Sequence, residues 1–154
     1  MQDKPELIKV GWREWLSLPD LNLPAVKAKI DTGARTSALH AFSVEPFQYD
    51  SLSWVRFGFH PISKNDSFEM KCQAPIKDQR EVTDSGGHTE LRYVIETTLD
   101  FGDNQWPIEL TLTNRDNMRF RMLLGRRAMV GRLWVDPAVS YQTGKLNSTE
   151  LYQL

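Results

Sequence analysis

The chain has 154 residues and a formal net charge of −1, with 40% hydrophobic and 25% charged residues. This composition is ordinary for a soluble globular protein, and a chain of this length usually folds as one domain, so we expect a single domain over residues 1–154. The near-zero charge gives no indication of a nucleic-acid partner, and no apolar run reaches the roughly 18 residues of a membrane helix.

The cysteine content and the N-terminus bear on the cellular compartment. Cys72 is the single cysteine, which excludes an internal disulfide and a cysteine-based zinc site. The polar N-terminus lacks the apolar core of a signal peptide, so we expect a cytoplasmic protein.

The first part of the chain is predicted to form a strand, a tight turn and a second strand. Residues 6–12 carry the apolar pattern of a strand, and Pro19 and Pro24 argue against a helix in the irregular segment that follows. Residues 26–31 alternate between apolar and polar side chains, which is the period of a half-buried strand. We expect this strand to end in a turn and the chain to be extended again over residues 36–41.

The remainder of the chain is predicted to be mostly β-strand. Apolar patterns predict strands over residues 42–47, 52–59, 68–74 and 120–124, and a hairpin with arms 91–101 and 106–114. The polar segment 75–90 is predicted to form an exposed loop or hairpin with its tip at residues 85–88. Residues 125–130 have room for one or two helical turns, and the tail from residue 140 is polar. Many short strands and one short helix indicate an all-β fold.

The segment from Lys29 to Ala41 contains the most distinctive motif of the chain. A strand runs into Asp31-Thr32-Gly33-Ala34, a tight turn that Gly33 adopts at little cost because it has no side chain. The turn places a carboxylate at the tip of a strand-turn-strand unit among small residues. Aspartic proteases present their catalytic carboxylate in this way.

Two motifs give the chain a resemblance to a known family. Residues 31–34 resemble the active-site loop of retropepsins, which are single-domain aspartic proteases that act as homodimers, and Leu-Leu-Gly-Arg at residues 123–126 resembles the segment before their short helix. The longer string over residues 31–41, Asp-Thr-Gly-Ala-Arg-Thr-Ser-Ala-Leu-His-Ala, is similar to that of a bacterial and archaeal retropepsin-like family. This family is often labelled ATP-dependent zinc protease and is found near ATP-grasp glutamate ligases. The resemblance covers about residues 6–138 and leaves the tail, residues 139–154, unassigned.

The resemblance implies a retropepsin-like closed β-barrel with one short C-terminal helix. It implies that Asp31, Thr32 and Gly33 form the catalytic turn, with Asp31 activating a water molecule. An aspartic protease needs two carboxylates that share one proton. Because this chain has one Asp-Thr-Gly, we expect the second Asp31 to come from a second chain across a two-fold axis, with the Thr32 hydroxyl bonding across it. Segment 75–90 would be a flap over the substrate, and the candidate substrate-binding residues at its tip are Ser85, Gly86, Gly87 and His88.

Several arginines are placed where they can bind an acidic substrate. Arg35 stands where retroviral proteases carry an acidic residue that binds the substrate backbone, so the charge beside the catalytic turn is reversed. A guanidinium binds a carboxylate through a bidentate fork. Alternatively, each arginine belongs to a solvated basic surface, or, for Arg126, braces the Asp31 turn from a buried position. The candidate substrate-binding residues outside the flap tip are Ala34, Arg35, Arg80, Arg92, Arg115 and Arg126.

The arginines and the neighbouring ligases together indicate a substrate class. We expect a peptidase for acidic, glutamate-rich peptides or glutamate-tailed proteins, with an ATP-grasp ligase as its functional partner. Two alternatives stay open. One is a non-catalytic module that holds acidic tails, and the other is a metal-dependent amide hydrolase.

The sequence supports neither the zinc nor the ATP of the family label. It contains no His-Glu-x-x-His and no Gly-x-x-x-x-Gly-Lys-[Ser/Thr] phosphate loop. The three histidines, His40, His60 and His88, are scattered, and a metal site built from Asp31, His40 and His88 would need three ligands at precise geometry. We therefore predict no metal and no cofactor.

Overall fold

β-Strands account for most of the regular structure of the chain. The computed structural model describes residues 6–62, 66–84, 86–114 and 120–153, and the elements below lie within them. The strands are β1 (Ile8–Val10), β2 (Arg13–Leu18), β3 (Leu23–Ile30), β4 (Ser37–His40), β5 (Ser43–Tyr49), β6 (Leu52–Phe59), β7 (Met70–Pro75), β8 (Asp78–Thr83), β9 (Thr89–Phe101), β10 (Asn104–Thr113), β11 (Met122–Leu124) and β12 (Leu133–Val135). The helices are α1 (Arg126–Met129) and α2 (Ser148–Leu151). The predicted all-β fold is confirmed.

Six of the strands form a closed ring. Each pairs with the next in the order β10, β4, β11, β3, β2, β9 and back to β10. Closure leaves no unpaired strand edge around this ring. β8 pairs with β9 outside the ring, β5, β6 and β7 form a separate antiparallel sheet, and β1 pairs with β12. The predicted closed barrel is therefore observed.

The hydrophobic core follows the alternation of the sequence. In β10 every second residue is apolar and buried, and these residues are Trp106, Ile108, Leu110 and Leu112. In β3, Val26 and Ala28 are buried while Lys29 is exposed, as the alternation predicted. Phe57 and Phe59 of β6 join the same cluster, so the separate sheet packs on the ring. Full burial of a large apolar side chain contributes about 1.5–3 kcal/mol, which makes this cluster the main source of stability.

β11 connects the two sequence motifs in space. It runs parallel to β3, with Leu124 opposite Ile30, and antiparallel to β4, with Met122 opposite Leu39. β3 precedes the Asp31 turn and β4 follows it. The Leu-Leu-Gly-Arg segment therefore lies beside both arms of the turn.

The segment between residues 15 and 24 is more regular than predicted. It contains most of β2 and a short 3-10 turn, Pro19–Leu21, instead of an irregular approach. Both prolines fall where a strand tolerates them, because Pro19 follows β2 and Pro24 lies at a bulge between β2 and β3. The residues on both sides of the prolines therefore form strands, although the sequence predicted an irregular segment.

The C-terminal tail contains a second short helix, which corrects the prediction of one. Asn147 caps α2 by accepting a hydrogen bond from the Glu150 N–H at 3.1 Å. After the helix, the Tyr152 hydroxyl donates to the carbonyl of Ala25 in β3 at 2.7 Å. The tail is thus attached to the ring. Neither described helix is long and apolar enough to cross a membrane.

Glu14 holds the tail at a second point. Its side chain is fully buried in β2 and accepts hydrogen bonds from the N–H groups of Gly11 (2.7 Å), Gln142 (2.9 Å) and Thr143 (3.2 Å). The Thr143 hydroxyl donates to it as well, at 3.1 Å. A buried carboxylate is tolerated when its oxygens are hydrogen-bonded in this way.

We expect Glu14→Gln to lower the free energy of unfolding by about 2–3 kcal/mol, because the amide turns one accepting oxygen into a donor that faces buried N–H groups. Urea unfolding measures the loss. Glu45→Gln is the matched control, since Glu45 is exposed and should shift stability by less than about 0.5 kcal/mol. Equal losses in the two variants would contradict the role of Glu14.

Candidate active site

Asp31 lies in a tight turn immediately after β3. The Gly33 N–H donates to its carboxylate oxygen Oδ1 at 3.0 Å, and the Ala34 N–H donates to its carbonyl at 3.2 Å. The Asp31 N–H itself donates to the carbonyl of Leu124 at 2.9 Å. The side chain is half-buried, so the carboxylate is held by the backbone and keeps access to solvent.

The start of α1 braces the same turn from the other side. The N–H groups of Arg126 and Arg127 donate to the carbonyls of Ala34 and Arg35 at 2.8 and 3.1 Å. These are helix N-terminal N–H groups, which have no partner inside the helix. The turn therefore satisfies them, and the two segments fix each other.

Gly125 makes this close approach possible. A Cβ at this position would lie 2.6 Å from the carbonyl carbon of Thr36, which is backbone and cannot move aside. The Gly125 N–H donates to Ser37 Oγ at 3.0 Å, and Thr111 Oγ1 donates to the Ser37 carbonyl at 3.0 Å. The glycine of Leu-Leu-Gly-Arg is thus explained by backbone contact with the turn.

The Arg126 side chain adds one further brace. Its NH1 group donates to the carbonyl of Thr32 at 2.8 Å. The arginine supports the turn, as one interpretation of the sequence held, but from an exposed rather than a buried position. Thr32 is exposed as well, and the predicted bond of its hydroxyl across a two-fold axis stays a prediction.

A cleft of about 770 Å³ opens beside the Asp31 turn. One wall is formed by the turn and by the segment that braces it, residues 31, 33–36, 123, 126 and 127. Residues 80–84 of the β8–β9 hairpin form a second wall. The volume is sufficient for a peptide segment or another small ligand.

The β8–β9 hairpin lies in segment 75–90, where the resemblance predicts a flap, and its role as a flap stays a prediction. Its strands pair in register from Asp78–Val94 to Thr83–Thr89, and Asp84 closes the tip by accepting hydrogen bonds from the N–H groups of Gly86 and His88, both at 2.9 Å. The predicted hairpin over segment 75–90 is confirmed. β8 pairs with β9 along one edge, and its residues 80–83 line the cleft.

Two of the cleft arginines are engaged in internal ion pairs. Arg80 forms a bidentate pair with Glu109, at 2.7 and 3.1 Å, and also contacts Asp78 at 2.8 Å. Arg92 is buried and donates to Glu90 at 2.7 Å. Arg80 and Arg92 lie directly opposite each other on β8 and β9, so these carboxylates offset two like charges that would otherwise repel each other.

Glu109 is the most strongly perturbed carboxylate of this network. The bidentate hydrogen bonds from Arg80 hold the pKa of Glu109 at about 2, and Lys77, 3.2 Å away, acts in the same direction. Lys77 also contacts Glu96 at 3.0 Å. The base of the hairpin is therefore tied to β9 and β10 by charge-assisted hydrogen bonds.

The structure brings together part of the predicted site. The predicted residues that line the cleft are Asp31, Gly33, Ala34, Arg35, Arg80, Arg92 and Arg126. Among the other described residues, Thr32 lies in the turn and Gly86, Gly87 and His88 lie at the hairpin tip, outside the lining of the cleft. Ser85 and Arg115 fall outside the described residues.

Sequence reasoning missed Arg127 and the acidic partners of the arginines. Arg127 lines the cleft, and its position directly after Leu-Leu-Gly-Arg was an available signal. Glu109 lies two strands away from Arg80, and nothing in the local sequence indicates that the two side chains pair. Pairs of this kind depend on strand register, which the motifs did not provide.

The histidines do not come together as a metal site. His40 is buried in β4, and His88 is exposed beside Asp84 at the hairpin tip, 3.6 Å from its carboxylate. Over residues 6–62, 66–84, 86–114 and 120–153, no three His, Cys, Asp or Glu side chains are grouped so that they could hold a metal. The described residues therefore do not fit the zinc of the family label.

Sequence comparison identifies the family of the chain. The model of a family described as RimB-like, retropepsin-like aspartic endopeptidase RimB, matches residues 9–145. The chain belongs to this family. The description supports the retropepsin-like resemblance and names an aspartic enzyme, so the label of ATP-dependent zinc protease is not supported.

Curated relatives of this RimB-like chain are much longer proteins. A Parasynechococcus marenigrum protein named "Probable alpha-L-glutamate ligase" is 53% identical over 144 residues, which cover 94% of this chain and 31% of that protein. A Shewanella pealeana protein of the same name is 43% identical over 145 residues, covering 94% and 32%. The chain thus spans about a third of the length of these relatives.

A solved structure shares the fold of this RimB-like chain. A Legionella pneumophila protein of unknown function (DUF785) superposes with a TM-score of 0.74 at 26% identity. The match covers 90% of this chain and 99% of the other. The retropepsin-like β fold is therefore supported by both sequence and structure.

The Glu109 pKa predicts a specific pH dependence of stability. Because its folded-state pKa of about 2 lies below the ordinary value near 4.5, its ion pairs stabilise the fold above about pH 4.5 and are lost as the pH falls towards 2. We expect Glu109→Gln to lower the free energy of unfolding by about 1–2 kcal/mol at neutral pH, and by progressively less below about pH 4.5.

Urea unfolding at a series of pH values measures this difference, with Glu45→Gln as the control for an exposed carboxylate. A difference that is the same at neutral pH and near pH 2 would contradict the assigned role of Glu109.

Proposed function

We propose that this chain is the protomer of a homodimeric aspartic peptidase that hydrolyses peptide bonds in acidic, glutamate-rich peptides or protein tails. The observation that carries the proposal is the Asp31 carboxylate, held in a braced turn on the wall of a cleft that the β8–β9 hairpin also lines. Membership of a family described as aspartic endopeptidases supports the same reaction.

The chemistry requires a second carboxylate beside the first. With one Asp31 from each protomer, mutual repulsion keeps one proton on the pair. The ionised Asp31 accepts a proton from a water molecule as the water attacks the peptide carbonyl. The protonated Asp31 donates its proton to the carbonyl oxygen, which gives a tetrahedral diol. The first Asp31 then passes the proton it took from water to the amide nitrogen, the second Asp31 takes a proton from a diol hydroxyl, and the C–N bond breaks with release of the amine and the new carboxyl group.

The acidic substrate is supported by the charge of the cleft and by the relatives. Arg35, Arg126 and Arg127 line the cleft and are exposed. Relatives of 43–53% identity are named glutamate ligases, and they contain a region similar to this chain within a longer protein. A peptidase that acts on the product of an ATP-grasp glutamate ligase accounts for both observations.

We expect Asp31→Asn to abolish cleavage of glutamate-tailed peptides, with a loss of at least about 10³-fold, because an amide cannot act as the general base. Mass spectrometry of oligoglutamate-tailed and neutral peptides, with and without a chelator, measures it. Asp136→Asn, at a carboxylate outside the cleft lining, is the control.

Cleavage that survives in Asp31→Asn, or that a chelator abolishes, would contradict the aspartic mechanism. Retention of acidic peptides by wild type without any cleavage would instead support a non-catalytic module that binds acidic tails. The single Asp-Thr-Gly of the chain favours that second function if the protomers do not pair.

A shared active site predicts dominant inhibition by the inactive variant. When wild type is mixed with excess Asp31→Asn and the protomers are allowed to exchange, we expect the activity per wild-type protomer to fall, because mixed dimers contain one carboxylate per site. Asp136→Asn is itself active, so adding the same excess of it should leave the activity per active protomer, wild type and Asp136→Asn counted together, unchanged. Activity that is independent of added Asp31→Asn would show that the two carboxylates do not come from two chains.

A further inference from the structure

The five described arginines that line the cleft differ in what they already bind. Arg80 is paired with Glu109 and Asp78, and Arg92 with Glu90. Arg126 donates to the carbonyl of Thr32. These three are occupied by the protein itself, so a ligand would have to displace an internal contact to use them fully.

Arg35 and Arg127 differ from these three arginines in their contacts. Both are exposed, both line the cleft, and neither forms an ion pair with any residue in the described part of the chain. Their backbones are joined, because the Arg127 N–H donates to the Arg35 carbonyl at 3.1 Å. Two uncompensated guanidinium groups therefore project from adjacent, fixed points of one wall.

Apart from Asp31 itself, the carboxylates that line the cleft lie on the hairpin. Glu81 and Asp84 line the cleft from β8 and the tip, and Asp84 is held there by the N–H groups of Gly86 and His88. Carboxylates on this wall repel an acidic ligand, whereas the Arg35–Arg127 wall attracts it. The cleft is therefore polarised, and an acidic side chain is directed to one wall.

We infer that Arg35 and Arg127 form a carboxylate-binding pair that reads the acidic side chains of the peptide, and that Arg80 and Arg92 do not. This inference rests on the proposed function for the identity of the ligand as a peptide. Guanidinium groups suit the task because they present paired donors that match both oxygens of a carboxylate. The pair sets specificity, while Asp31 carries the reaction.

The test measures binding separately from cleavage. All variants are made in the Asp31→Asn background, and fluorescence anisotropy follows a labelled oligoglutamate peptide and an oligoglutamine peptide of the same length. The variants are Arg35→Gln, Arg127→Gln, Arg127→Lys and Arg80→Gln. Arg56→Gln is the matched control, because Arg56 is an exposed arginine on β6 outside the cleft lining and changes the net charge equally. Unfolding midpoints establish that each variant is folded.

We expect the preference for oligoglutamate over oligoglutamine to fall about tenfold or more in Arg35→Gln and in Arg127→Gln, since each loses a charge-assisted hydrogen bond. Arg127→Lys should retain only part of the preference, because an ammonium lacks the planar fork. Arg56→Gln should retain all of it. Arg80→Gln should weaken the binding of both peptides alike, because loss of the guanidinium group loosens the hairpin but removes no group that binds the acidic side chains.

An unchanged preference for oligoglutamate in both Arg35→Gln and Arg127→Gln would overturn the inference. An equally large fall of this preference in Arg56→Gln or Arg80→Gln would overturn it as well. Absence of binding to either peptide would overturn it too. The outcomes separate the two proposals. Charge-selective binding without cleavage by wild type would support the arginine pair and contradict the peptidase. Cleavage that the arginine substitutions do not affect would support the peptidase and contradict the arginine pair.

Discussion

Backbone hydrogen bonds between the Asp31 turn and the start of α1 are the constraint on which the cleft depends. A turn made of small residues has many accessible conformations, and fixing each residue costs roughly 1–2 kcal/mol of conformational entropy. Here the N–H groups of Arg126 and Arg127 and the carbonyls of the turn satisfy each other, and Gly125 allows the backbones to approach. The carboxylate is therefore positioned mainly by hydrogen bonds of the backbone.

The fold supplies this contact through a strand that is short but central. β11 has only three residues, yet it lies between β3 and β4, the two arms of the turn. It brings together groups 94 residues apart in sequence, Thr32 and Arg126. Such a non-local contact forms only when the ring has closed, so the cleft and the barrel are expected to fold together. Thr32 and Gly33 of the turn are exposed, so a second chain or a substrate has access to them.

Local sequence features predicted the parts of this arrangement that depend on local physics. The alternation of β10 and the limits of β6 follow from apolar periodicity. The polar segment that forms β8 and the hairpin tip was compatible with a loop or a hairpin, and the resemblance favoured the hairpin. The Asp-Thr-Gly and Leu-Leu-Gly-Arg motifs indicated which segments meet. What local features did not indicate depends on partners distant in sequence. Pro24 is accommodated at a bulge in the pairing of β2 with β3, Glu14 is buried where the tail supplies donors to it, and Arg80 is neutralised by a residue two strands away.

The same strand register decides what the cleft offers to a ligand. Arg80 and Arg92 face each other across the β8–β9 pair, and two like charges in that position would destabilise the hairpin. Glu109 and Glu90 offset these two charges. The two carboxylates therefore stabilise the hairpin and also lower the net positive charge of the site. Counting arginines in the sequence therefore overstates the positive charge available to an acidic substrate. Among the described residues that line the cleft, the arginines without an ion pair lie on the wall built by the turn and α1, next to the residue that would perform the chemistry.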